Sequence, residues 1–379
     1  MSAAQATSAR LAAAARRHAL ERVAPAVDDW NAFPRDVARE AAAEGLLGIF
    51  APVEVGGLGL GFADGMEAFE ELGRGDAAYA FALSMHNAVA NTVARFGSPA
   101  LRDRFARPLT SGEQLGCFSL TEPHAGSDAA AISTRAVPDG KGGYVVTGRK
   151  AWVSLIGEAG LYVVVCRTGS GRGHRDMLML AIPATSGGVR VERVYRKAGA
   201  PFLPIGELAL EEVRVGAEFV IAPEGSGLQA ALGAIDVARV DIAAIAVGML
   251  AQALDTALGY TASRRIYDGS VLDLEPIRSM LADVETDIVA GRLLYRHAAA
   301  ALGGPGGSVA AAHAKRFCPD AALRGCLACS EVMGSYGWLT DYPVARMVAL
   351  AKMLQTVDGT TEIQRVVIAR DLARRAVAR

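Results

Sequence analysis

The sequence predicts an α+β chain in which a β-rich middle section separates two helical ones. Before about residue 115, apolar residues recur three and four apart. Between about 116 and 220 the period shortens, and beyond Gly225 the helical period returns. At 379 residues the chain is also too long for one simple core, so two or three packed units are expected. The expected divisions are 1–115, 116–220 and 221–379.

The first section opens with residues 1–20, rich in Ala, Ser and Arg and free of acid until Glu21. Transit peptides share that composition. Leu11, Leu20 and Val23 nevertheless continue a helical face into Pro25, so the segment is read as mature structure and the protein as cytoplasmic. Helices are expected over residues 37–47, 62–72 and 77–94. Between the first two lies Gly-Gly-Leu-Gly-Leu-Gly at 56–61, which invites a nucleotide-loop reading. The strict G-x-G-x-x-G order is absent, and no strand–helix pair with an acid about twenty residues on brackets it. A tight connection between helices is expected instead.

In the middle section, strands are expected over 144–147, 161–166, 177–182, 189–194 and 208–215. The run Pro138-Asp-Gly-Lys-Gly-Gly143 supplies a hairpin connector. In the last section, Ile277, Leu281, Val284, Ile288 and Tyr295 form one apolar face of a long helix.

A net charge of −1 gives no electrostatic case for nucleic acid or an anionic membrane. Mean hydropathy is positive because Ala is abundant, and Arg, His, Asn or Asp breaks the most apolar stretches within about 18 residues, short of a membrane span. Five cysteines are too few and too scattered for a disulfide framework. Cys326-Leu-Ala-Cys329 has the spacing of a redox or metal pair, but it sits in a helical run at 321–332 without a second Cys/His pair. Buried helix packing is expected there, and no metal site.

The chemistry-bearing segments begin at residues 120–128, Leu-Thr-Glu-Pro-His-Ala-Gly-Ser-Asp. Its Pro and Gly prevent helix or strand continuation, so it is a shaped loop. It offers the hydroxyls of Thr121 and Ser127, and backbone N–H groups, to a polar ring edge or a phosphate. Taken alone, an ordinary surface turn reads equally well. Trp152-Val153-Ser154, further along, weighs against that reading.

Together with Arg264-x-x-Tyr267, the segment from Gly334 to Gly337 and Asp-Gly-Thr-Thr-Glu-Ile-Gln-Arg at 358–365, this loop and strand resemble the acyl-CoA dehydrogenase family of flavoproteins. The resemblance covers roughly residues 10–375. It implies an N-terminal helical domain, a central β-barrel-like domain and a C-terminal four-helix bundle, with FAD as cofactor. By resemblance, Phe118, Leu120 and Thr121 hold the flavin, Trp152 packs on its ring and Ser154 hydrogen-bonds near N5. Ser127 lies toward the cofactor or the thioester's pantetheine. Arg264 and Tyr267 reach the FAD of a neighbouring subunit, and Glu331 and Gly334 stand at a further cofactor contact. Thr360 and Glu362 lie near its phosphate and adenine, whereas Arg239 and Gly359 lie on the substrate side.

Removing hydrogens from Cα and Cβ of an acyl thioester requires a carboxylate base, a hydride acceptor and stabilisation of the developing enolate. The resemblance assigns the base to Asp358, where the family usually carries Glu. A shortfall on the order of 1 Å can cost roughly a hundredfold in rate. Asp358 also reads as a helix N-cap, which leaves two roles open for it. The alternative base position, just before Arg239, holds Ala238, and Asp236 points elsewhere on a helix. Asp268 replaces a usual Gly, Ala349-Leu350 replaces a common Arg-Asp pair, and 202–206 lacks the usual Ser-x-Thr.

The expected function is FAD-dependent α,β-dehydrogenation of an acyl-CoA or acyl-carrier-protein thioester. The resemblance implies a homotetramer or homodimer that passes its electrons to an electron-transfer flavoprotein. The alternatives are a flavin oxidase or monooxygenase using Asp358 as base, and a catalytically silent flavin-binding protein.

Overall fold

The computed structural model describes residues 3–169 and 175–378. The N-terminal helices are α1 (Ala3–His18), α2 (Arg35–Ala43), α3 (Phe62–Gly75), α4 (Ala77–Phe96) and α5 (Pro99–Thr110). Helix α2 is shorter than its apolar pattern predicts. Gly45 adopts φ +83°, and the N–H groups of Gly45 and Leu46 donate back to Ala42 and Ala41 at 2.9 and 3.0 Å. This paired closure ends the helix and sends Leu46 and Leu47 into the core from a turn. Asp76 caps α4, accepting from the N–H groups of Ala78 and Tyr79 at 2.9 Å each.

The glycine run at 56–61 is a close-packed connection into α3. Gly56 and Gly59 have φ of +86° and +63°, and a Cβ on Gly57 would lie 2.1 Å from the carbonyl oxygen of Ala51. Sterics account for these glycines without a nucleotide.

Among the described residues, eight strands form the central sheet: β1 (Leu115–Ser119), β2 (Arg135–Pro138), β3 (Tyr144–Ser154), β4 (Ala159–Arg167), β5 (Met177–Pro183), β6 (Val189–Val194), β7 (Ile205–Val215) and β8 (Val220–Ala222). Their order is β6-β7-β3-β2-β4-β5-β8, with β1 parallel beside β4. Asp139 closes the β2–β3 hairpin by accepting from the N–H groups of Lys141 and Gly143 at 2.8 and 2.9 Å. Alternate residues of β4 enter different cores. Leu161, Val163 and Val165 pack toward α4 and α5, whereas Tyr162, Val164 and Cys166 fill the opposite face. Burial on both faces explains why β4 reads as an unbroken apolar run.

The C-terminal part contains α6 (Gly227–Ser263), a two-stranded ribbon of β9 (Arg265–Ile266) and β10 (Gly269–Ser270), α7 (Glu275–Ala301), α8 (Gly307–Val332), α9 (Val344–Thr356) and α10 (Thr361–Val377). Helix α6 is about 55 Å long at 1.5 Å per residue, and its central turns are buried on every side. It crosses α3 through small residues: a Cβ on Gly248 would lie 1.7 Å from the carbonyl oxygen of Glu70. One continuous core therefore joins the N-terminal and C-terminal helices. On α7, Leu281, Val284, Ile288 and Tyr295 are buried as their spacing predicts, and Cys326 and Cys329 are buried, free thiols within α8. Among the described residues, no helix is long and apolar enough to cross a membrane.

Candidate functional site

Two segments distant in sequence are pinned together beside β3. The β3–β7 register slips between Lys150 and Val153, where Trp152 takes φ +57°. Such a bulge releases a main-chain group from the ladder and re-aims a side chain. Here the N–H of Ala151 donates to the carbonyl of Thr121 at 2.9 Å, and Trp152 turns outward, 63% exposed. Its ring lies 4.6 Å from that of Tyr195, centroid to centroid. Ser154 is buried, Thr121 and Phe118 are half-buried, Leu120 is buried and Ser127 is exposed.

Beneath the loop lies an anchor that the loop's turn chemistry did not disclose. Glu122 and Lys150 are both buried and pair at 2.8 Å. Glu122 also accepts from the N–H groups of Ser133 and Thr134 at 2.6 and 2.9 Å and from the Ser133 hydroxyl at 2.8 Å. Lys150 donates in addition to the Leu120 carbonyl at 3.0 Å. Burial alone would raise the Glu122 pKa, but Lys150 and these donors outweigh it and hold the carboxyl well below its usual range. Burial in turn lowers the proton affinity of Lys150, against the pull of Glu122.

The second group is built on the loop between α9 and α10. Asp358 and Gly359 have φ of +49° and +95°, two successive left-handed residues. The cap of α10 is Thr360, whose Oγ1 accepts from the N–H of Ile363 at 3.4 Å. The capping role open to Asp358 is thus taken by its neighbour. Asp358 Oδ2 is shielded from solvent and has no hydrogen-bond partner among the described residues. Arg239 Nε donates to the main-chain carbonyl of Asp358 at 3.2 Å, and Gln364 Nε2 donates to that of Gly359 at 2.8 Å. Burial pushes the Asp358 pKa above the ordinary carboxylate range, while Lys315 and Arg239 pull it partway back. Lys315 on α8 is fully buried, with Nζ donating to the Leu354 carbonyl at 2.6 Å. Burial lowers its own proton affinity despite the nearby Asp358 charge. A lysine directly after the alanine-rich run 310–314 was its sequence signal.

A cavity of about 860 Å³ opens between α4, α6 and strands β5 and β8. Its lining is mainly apolar and includes Phe50, Phe62, Met179 and Ile221. Asp241 stands in this wall, 1% exposed, with Oδ2 accepting from the Ser84 hydroxyl at 2.7 Å. Burial pushes its pKa up to about 8, Ser84 lowers it and the Asp358 charge adds to the rise. Asp358 thus acts on Asp241 through its charge, although it is not itself one of the residues lining the cavity. The sequence signal for Asp241 was a lone carboxylate in an otherwise apolar turn of α6.

The remaining predicted positions lie outside these groups. Arg264 and Tyr267 flank the β9–β10 ribbon, and Tyr267 is 90% exposed with φ +49°. The Arg264 guanidinium carbon lies 5.9 Å from the Tyr336 ring centroid, which brings it beside the turn containing Gly334. Glu331, Gly334 and Glu362 are exposed. The substituted segment 202–206 and the Ala349-Leu350 pair lie close together: the Cβ position of Gly199, just before Phe202, is 3.6 Å from both Ala349 and Leu350.

Three family models match in order along the chain. They are described as the N-terminal domain of acyl-CoA dehydrogenase over residues 5–113, the middle domain over 117–213 and the C-terminal domain over 225–373. Mitochondrial isobutyryl-CoA dehydrogenase of Dictyostelium discoideum is 31% identical over 361 residues, spanning 94% of this chain and 86% of the relative. Acryloyl-CoA reductase (NADH) of Anaerotignum propionicum is 33% identical over 365 residues, spanning 94% and 91%. The solved structure of butyryl-CoA dehydrogenase from Megasphaera elsdenii matches with a TM-score of 0.93 at 30% identity, over 98% of this chain and 99% of that one.

Proposed function

This chain belongs to the acyl-CoA dehydrogenase family, FAD-dependent oxidoreductases that act on CH–CH bonds, and we propose that it dehydrogenates an acyl thioester between Cα and Cβ with Asp358 as the base. The observation that carries the assignment is the carboxyl oxygen Oδ2 of Asp358: buried, unpartnered and raised in proton affinity.

The residues around β3 fit the cofactor. The exposed Trp152 indole sits on a bulge whose main chain is tied to Thr121, with Ser154 two residues further along the strand, so the segment supplies a planar apolar surface and hydroxyl-bearing residues. Phe118, Leu120, Ser127, Thr360 and Glu362 extend this set along the chain. FAD, when bound, supplies the acceptor for the β-hydride. Asp358 takes the α-proton on its carboxylate, and its main-chain N–H receives the thioester carbonyl as negative charge develops there. Arg239 and Gly359 hold the loop that carries both groups. The mainly apolar cavity beside Asp241 receives the acyl chain and keeps water away from it.

Arg264, Tyr267, Glu331 and Gly334 are exposed on the single chain, which supports a cofactor site completed by another protomer of a homotetramer or homodimer. An electron-transfer flavoprotein is the partner assigned to reoxidation, in the cytoplasm. Purified holoprotein mixed anaerobically with a panel of acyl-CoAs should bleach its flavin. An FAD-loaded protein that no acyl-CoA or acyl-carrier-protein thioester reduces would refute the dehydrogenase reading. Hydrogen peroxide release at rates matching substrate oxidation would point to an oxidase instead.

A further inference from the structure

We infer that Asp241 is a specificity residue whose carboxyl group meets an oxygen substituent, a hydroxyl or carbonyl, on the acyl chain beyond Cβ. The inference rests on the dehydrogenase reading and narrows it to polar-substituted acyl thioesters.

The geometry is that of a half-satisfied polar group in an apolar wall. Asp241 lines the cavity among Phe50, Met179, Ile221 and Val237. Ser84 satisfies Oδ2 at 2.7 Å, whereas Oδ1 is shielded from solvent and has no partner among the described residues. Buried polar groups are nearly always matched, so the unmatched oxygen of this cavity-lining residue calls for a partner that the substrate can bring. A plain alkyl chain would leave Oδ1 without a partner and displace any water that served it.

The protonation state sharpens the match. Burial, reinforced by the Asp358 charge, keeps Asp241 protonated at neutral pH. The protonated carboxyl has one O–H that can donate and oxygen lone pairs that can accept, so Asp241 can pair with either a carbonyl or a hydroxyl. A site built to hydrogen-bond a substrate oxygen rejects the analogue lacking it far more strongly than a greasy pocket discriminates between alkyl chains.

The test compares acyl-CoAs hydroxylated at the γ, δ or ε carbon with unsubstituted acyl-CoAs of equal length on the holoenzyme. At least one hydroxylated thioester should exceed its alkyl counterpart by about tenfold or more in kcat/KM for anaerobic flavin reduction. Asp241→Leu should collapse or invert that ratio, whereas Asp241→Asn, which keeps a hydrogen-bonding amide, should hold it within a few-fold. Equal or better turnover of every alkyl partner by the wild type, or an unchanged ratio in Asp241→Leu, would overturn the inference. Should Asp241→Leu fail to fold, calorimetric binding of the same pairs to Asp358→Asn holoprotein decides. Tighter binding of the hydroxylated ligand supports the inference and equal binding refutes it. If thioesters of neither kind bind or reduce the flavin, the dehydrogenase reading itself falls. Alkyl turnover alone removes only the role of Asp241.

Discussion

Arg239 reaches across 119 residues of sequence to donate from Nε to the main-chain carbonyl of Asp358 at 3.2 Å. Its other end pairs with Asp236 at 2.7 Å, one turn earlier on α6. The long helix thus grips the backbone of the α9–α10 loop and leaves the Asp358 carboxyl free. Asp236, which helix geometry points away from the base position, serves here as a brace for Arg239.

Asp358→Asn should keep the fold and FAD but lose substrate-driven flavin reduction by about 10²–10⁴-fold, the usual contribution of a positioned base. The amide preserves size and the main-chain N–H but takes no proton at neutral pH. Asp358→Glu separates two geometries: appreciable activity indicates a retracted base with room ahead of it, and a fall indicates a site contracted around Asp. Stopped-flow flavin absorbance reads both. Full reduction in the Asn variant would remove Asp358 from the mechanism.

The pH profile should report the raised proton affinity of Asp358. The base acts only when ionised, so kcat/KM should fall as pH drops through its raised pKa, at a higher pH than an ordinary carboxylate would give. Removing the Lys315 charge by Lys315→Met takes away the larger of the two cationic influences that favour the ionised form. The acid limb should then move to higher pH. A limb that stays in place would show that Lys315 does not act on the base.

Asp241 should make stability fall with pH. Its folded pKa of about 8 lies above its unfolded value, so the native state holds a proton that the unfolded chain has released between about pH 4 and pH 8. Native stability from this group is fully present below the unfolded pKa and is lost as pH rises through the folded one. Asp241→Asn removes the dependence. Its stability relative to wild type should therefore climb between about pH 4 and 8 and level off above, as read by denaturant unfolding at several pH values. A difference independent of pH would contradict the buried, protonated assignment.

Lys150→Met should destabilise the middle section by about 3–5 kcal/mol, the effect of leaving one member of a buried pair uncompensated. Both side chains are out of solvent at 2.8 Å, and Glu122 organises the N–H groups of Ser133 and Thr134 as well. Loosening of the Thr121 loop should also weaken FAD retention. A melting temperature and FAD content equal to wild type would show that the loop is held by its turns alone.

What the sequence determined by itself was set by short-range physics. The change of apolar period located the helical and sheet-forming sections, because side-chain direction follows backbone geometry residue by residue. The Thr121 and Trp152 segments and the Asp358 segment were legible as chemistry through their joint resemblance to the acyl-CoA dehydrogenase family, since the loop alone reads equally well as a surface turn. Decisions that depended on partners far along the chain were not. No local pattern says that Lys150 finds Glu122, that Gly248 lets α3 approach α6, or that a register slip frees the Ala151 N–H for Thr121. Asp358 could be read locally as base or cap, and tertiary structure gives the cap to Thr360 and shields Oδ2 of Asp358 near Lys315 and Arg239. Asp241 is the sharpest case. In sequence it is one of three Asp residues in a mostly apolar helix, and only burial beside Ser84 and the cavity raises its proton affinity, because proton affinity is set by surroundings that the chain assembles only when folded.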